Sequence, residues 1–112
     1  MLLKALSSLT PLLAAGILAS AGAFANGQPA VEVEIIKFKF IPQEVTVKVG
    51  DTVRWTNAEK RQYHSVWFEQ AGDPEAPYIF PGETTTRAFD KPGTFPYRCG
   101  PHPEMTGVVH VE

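Results

Sequence analysis

Cys99-Gly100-Pro101-His102-Pro103-Glu104-Met105 places a thiol, an imidazole and a thioether in one short loop, and His64 supplies a second imidazole upstream. A soft thiolate, two imidazoles and a weak axial thioether are the donors expected of an electron-transfer copper site. Each residue alone has an ordinary reading. A lone buried cysteine is a small hydrophobe, a lone methionine fills core space, and a single histidine caps a strand edge. Together, in the spacing C-x2-H-x2-M after an alternating strand, they point to one metal ion held by His64, Cys99, His102 and Met105. His110 stands apart, because it alternates with Val109 and Val111 and is expected on a sheet surface.

Such donors need rigid supports. Copper(I) and copper(II) prefer different geometries, and a loop that follows neither keeps reorganisation small. Pro101 and Pro103 flank His102 and remove both backbone freedom and the neighbouring N–H groups. The rest of the chain reads as strands. Val31, Val33 and Ile35 alternate with Glu32, Glu34 and Ile36, and Lys37 to Phe40 extend the pattern to Pro42. Val45, Val47 and Val49 are expected inward, opposite Glu44, Thr46 and Lys48, before a turn at Gly50-Asp51. Val53 and Trp55 belong to the next strand, Asn57 to Gln62 to a polar loop, and Tyr63 to Phe68 to a strand beginning beside His64. The segment from Glu69 to Gly82 has no period, Thr84 to Phe89 reads as a strand, and Asp90-Lys91-Pro92-Gly93 as a turn. Phe95, Tyr97 and Cys99 share one face of the following strand, pointing the thiol inward, and Val108 to Val111 close the chain. With no amphipathic helix of useful length, half-buried antiparallel strands imply an all-β sandwich or small barrel.

Residues 1–25 read as a secretory signal rather than as fold. Lys4 starts it, Leu12 to Ala21 is apolar and small, and Ala23-Phe24-Ala25 matches an A-x-A cleavage site. Cleavage after Ala25 leaves residues 26–112 as one small domain, with the periplasm as its address and no stable membrane insertion. Without Lys4, nine Lys and Arg face 12 Asp and Glu, a formal charge of −3, and no basic stripe marks a nucleic-acid binder. Cys99 is the single cysteine, so no internal disulfide is possible; an exported unpaired thiol implies that something occupies it.

Residues 31–112 resemble the cupredoxins, the type 1 blue copper proteins of plastocyanin and azurin type, and among them the amicyanin group. The resemblance rests on Phe40 with Pro42, the run Val45 to Val53, Trp55-Thr56-Asn57, His64, Gly93-Thr94-Phe95, Tyr97-Arg98-Cys99 and the short gap from His102 to Met105. It implies a Greek-key β-sandwich of about seven to eight strands with copper near one end, held by His64, Cys99, His102 and Met105, and an exposed His102 edge as the electron port. It also implies a monomeric carrier that turns over no substrate and cycles Cu(I)/Cu(II) between redox proteins such as a dehydrogenase, a c-type cytochrome or an oxidase. A second reading is a copper-binding or copper-handling protein on the same fold. A dinuclear copper centre needs a second cysteine, a zinc site fits poorly with Met105, and an adhesive domain would bind no metal. Ser65 stands where the amicyanin group usually has asparagine, and Gly100 where a hydroxyl residue is common, so the bracing hydrogen bonds are expected to be fewer or different. Glu104 replaces an apolar residue beside His102, so a methylamine dehydrogenase partner does not carry over.

Overall fold

The computed structural model describes residues 29–112; the expected signal at 1–25 lies outside the described residues. Seven strands form two sheets: β1 (Val31–Ile36), β2 (Lys39–Ile41), β3 (Glu44–Val47), β4 (Thr52–Asn57), β5 (Thr84–Ala88), β6 (Gly93–Arg98) and β7 (Thr106–Val111). One sheet has the order β2-β1-β4-β5 and the other β3-β7-β6. The chain passes from the first sheet to the second after β2, through the cis Ile41–Pro42 peptide, and returns at β4. That crossing makes β1 and β4 parallel neighbours, and likewise β3 and β7, where alternation alone suggested antiparallel pairs throughout.

The inward residues of both sheets form one core. Val33, Ile35, Val53, Trp55 and Val109 are almost wholly buried, and Phe40, Phe68, Phe89 and Tyr97 fill the space between them. Burying each large apolar side chain contributes roughly 1.5–3 kcal/mol. Trp55 Nε1 donates to Tyr97 Oη at 3.1 Å, so the two polar edges in this aromatic cluster satisfy each other. Burial pushes the Tyr97 phenol up to about 12, and it stays a neutral hydroxyl.

Tyr97 faces Gly107 across the β6–β7 ladder, and a Cβ at Gly107 would lie 2.8 Å from Tyr97 Cε1 and closer still to Cζ and Oη. The ring cannot retreat without leaving Trp55. Gly107→Ala is therefore expected to destabilise the domain by about 1–3 kcal/mol, the cost of overpacking a tight core. Denaturant unfolding would read it as a lower midpoint at unchanged slope; an unchanged midpoint would contradict this packing.

Three local expectations are corrected. The alternation does not run through Lys37 and Phe38, which form the hairpin turn between β1 and β2 with φ of 54° and 57°. A two-residue hairpin whose central residues both have positive φ matches the strand twist, and here it turns Phe38 off the sheet. Val49 is exposed rather than inward, because β3 ends at Val47 and the Lys48–Asp51 turn has begun. Tyr63 to Phe68 is not a continuous strand but makes isolated bridges, His64 with Ile79 and Trp67 with Arg98. Between the bridges the Ser65 N–H points at a sulfur instead of a carbonyl.

Candidate metal centre

Cys99 follows β6 and Met105 precedes β7, so the loop joining two neighbouring strands of one sheet carries three of the four expected residues. It closes on itself: Cys99 N–H donates to Met105 O and Met105 N–H to His102 O, both at 2.9 Å. His64 arrives from the loop after β4, held against Ile79 by hydrogen bonds of 3.1 and 2.7 Å in the two directions. The result brings all four residues to one end of the sandwich. His64 Nδ1 lies 3.6 Å and His102 Nδ1 3.5 Å from Cys99 Sγ. One ligand atom from each of His64, Cys99 and His102 falls within 4.8 Å of the others. Cys99 and His64 are fully buried, Met105 is buried, and His102 is partly exposed.

A thiol and two imidazole nitrogens converging on one point are a donor set that fits a copper ion. Burial pushes the Cys99 thiol up. The backbone N–H groups of Ser65 and His102, the Ser65 side chain and the Arg98 charge pull the other way without overcoming it. Metal binding therefore displaces a proton from Sγ. The 3.3 Å contact from Ser65 N–H is set to stabilise the resulting thiolate.

Sequence reasoning missed the supports around His64. Its Nε2 lies 3.0 Å from Glu59 Oε2, a carboxylate that also accepts the Phe38 N–H at 2.9 Å. Burial would raise the Glu59 carboxyl, but the N–H groups of Phe38 and Lys37 and the histidine outweigh it and hold it below its ordinary value. A carboxylate there fixes the tautomer, leaving Nδ1 free to ligate. Asn57, fully buried at the end of β4, braces the same loop: Nδ2 donates to Gln62 O and Ile79 O, and Oδ1 accepts from Glu59 N–H, all at 2.9 Å. Phe38 stands edge-on to both imidazoles, with centroids 5.3 Å from His64 and 4.9 Å from His102. A polar residue closing an apolar strand was the available signal for Asn57. Nothing local marked Glu59 or Phe38, whose roles depend on the hairpin.

The bracing is different from the asparagine–hydroxyl pair, as expected. Ser65 Oγ accepts the Gly100 N–H at 2.8 Å, tying the His64 loop to the cysteine loop. A Cβ at Gly100 would lie 2.6 Å from Glu75 Oε2 and 2.9 Å from Ser65 Oγ, so a side chain there would displace the exposed Glu75 carboxylate and press on the Ser65 brace. Arg98 adds a second brace: Nη1 donates to Cys99 O and Gly100 O, Nε to Glu69 Oε1, and the guanidinium stacks on Trp67. His110 lies on the sheet surface, with Nε2 3.0 Å from Glu44 Oε1, away from this centre.

A seven-stranded sandwich with a thiol and two imidazoles converging at one end defines a copper protein of the type 1 class. Residues 28–112 match the copper-binding proteins of the plastocyanin/azurin family. Amicyanin-alpha of Methylorubrum extorquens is 40% identical over 109 residues, covering 94% of this chain and 89% of that protein. Amicyanin of Paracoccus denitrificans is 40% identical over 87 residues, covering 74% and 66%. The solved structure of a reduced tryptophan-to-tyrosine mutant of amicyanin superposes with a TM-score of 0.70 at 34% identity, covering 85% of this chain and 89% of that one. The chain belongs to the plastocyanin/azurin family of copper-binding proteins, the blue copper electron-transfer cupredoxins.

Proposed function

We propose that this protein is a periplasmic one-electron carrier whose single copper is held by His64, Cys99, His102 and Met105. The supporting observation is the convergence of three ligand atoms within 4.8 Å in a site that is buried except at His102. Bound copper supplies one-electron chemistry between Cu(I) and Cu(II). Cys99 contributes the polarisable thiolate, His64 and His102 the two imidazoles, and Met105 the weak fourth donor. The Ser65–Gly100 bond, the Glu59–His64 contact and the closed 99–105 loop hold these donors in place, which keeps the reorganisation on electron transfer small.

Residues 1–25 act in this reading as an export signal removed after Ala25. The carrier then moves as a monomer between redox proteins such as a dehydrogenase, a c-type cytochrome or an oxidase, and turns over no substrate itself. Glu104 is exposed two residues from His102, so the face beside that histidine is more polar than an apolar docking patch requires.

A spectroelectrochemical titration of the copper-loaded 26–112 domain tests the carrier role. A reversible one-electron wave, with rapid exchange to an external acceptor, is expected; an irreversible or absent wave would leave copper handling as the function. Met105→Leu should keep copper bound and raise the potential, since the donor lost is one that favours copper(II). Unchanged spectrum and potential in that variant would remove Met105 from the ligand set.

A further inference from the structure

Met105 is only 5% exposed, yet it forms a buried wall of a surface cleft of about 300 Å³. Phe38, the ring that stands edge-on to both imidazoles, is a second wall. The cleft therefore runs from solvent to the edge of the metal centre. The Met105 side chain is unbranched with three rotatable bonds, and it can swing while its backbone stays fixed. Met105 N–H donates to His102 O, and Met105 O accepts the Cys99 N–H.

The outer part of the cleft carries groups that act on a cation. Lys39, Gln43 and Glu104 line it, and all three are exposed. Glu104 joins none of the ion pairs among the described residues, so no contact neutralises its charge. Gln43 Nε2 donates to Thr106 O at 3.2 Å and to Thr106 Oγ1 at 3.4 Å. That anchors the amide and leaves Oε1 as its unpaired end among the described residues. Donors thus change from hard to soft going inward, with carboxylate and amide oxygens outside and the Met105 thioether behind them.

We infer that this cleft is the route by which copper enters the metal-free protein, with Glu104 and Gln43 as an outer landing site and Met105 as the gate. This rests on the copper reading above. Aquated copper(II) exchanges water for the Glu104 and Gln43 oxygens, passes Met105 and reaches His64, Cys99 and His102. The Cys99 thiol proton leaves to solvent as the copper–sulfur bond forms, and no electron moves. Glu104 draws the dication in, whereas Lys39 opposes it. The partly exposed His102 edge is the competing way in.

Stopped-flow mixing of metal-free protein with copper(II) alone tests this, followed by growth of the thiolate-to-copper band. E104Q should slow uptake about fivefold at low ionic strength and K39Q should speed it, both differences shrinking as salt rises. D90N removes the same charge in the turn before β6, the strand whose other end precedes Cys99, and should change little. Q43W narrows the cleft and should slow uptake severalfold at every ionic strength. Q70W makes the same change in the exposed helical turn Glu69–Ala71 and should not. Every variant should reach the wild-type spectrum at one equivalent, with fold and donors intact; if Q43W does not, the charge variants decide alone. Equal rates for E104Q and D90N, or for Q43W and Q70W, would overturn the inference alone and leave entry past His102. A wild-type protein that gains no blue band would overturn the copper reading and this inference with it.

Discussion

Cys99→Ser is expected to abolish the intense thiolate-to-copper absorption while leaving a folded β-sandwich. The substitution replaces the one soft, covalent donor with a hydroxyl that is not ionised at neutral pH. Folding should survive because the new oxygen occupies nearly the same volume and inherits the Ser65 N–H, so the buried hydroxyl is not orphaned. Residual copper binding through His64 and His102 would be weak and colourless by comparison. The measurement pairs visible absorption of the copper(II)-treated variant with its far-ultraviolet dichroism. A variant that stays blue would remove Cys99 from the centre, and with it the type 1 assignment.

Copper loading is expected to raise the thermal transition by a large increment. His64 comes from the segment after β4, and Cys99, His102 and Met105 from the β6–β7 loop, so one ion pins two segments that meet only in the folded state. A ligand that binds only the native chain stabilises it by about 4 kcal/mol at a thousandfold excess over its dissociation constant. A domain of this size gains about 4–8 °C per kcal/mol, so the shift is on the order of 20 °C. Calorimetry of apo and copper-loaded protein reads it directly. Equal transition temperatures at saturating copper would mean that the two segments are not joined through metal.

Much of this was legible in residue order, because strand alternation and ligand spacing are local. Val33, Ile35, Trp55 and Tyr97 point inward as their periodicity requires, and C-x2-H-x2-M marked the loop that carries the donors. What escaped was set by chain reversal and by competition for backbone groups. Lys37 and Phe38 look like strand residues, yet the hairpin puts both at positive φ and delivers Phe38 onto the two imidazoles. Tyr63 to Phe68 has strand composition, but its Ser65 N–H is taken by Cys99 Sγ, so no ladder forms. Glu59 sits in a polar loop, and Asn57, read as the first residue of that loop, closes β4 instead; only the folded arrangement turns both side chains inward to hold His64 and its loop. Gly100 looked like a missing hydroxyl; its backbone N–H instead takes up the brace, donating to Ser65 Oγ.

The central claim is that His64, Cys99, His102 and Met105 bind one copper ion as a type 1 centre. Titrating copper(II) into the metal-free 26–112 domain, with visible and paramagnetic resonance spectra recorded at each step, tests it most directly. The expected result is an intense thiolate-to-copper charge-transfer band with narrow hyperfine splitting, saturating at one equivalent. A weak band with the broad splitting of an ordinary tetragonal copper(II) complex, or saturation at any other stoichiometry, would contradict it.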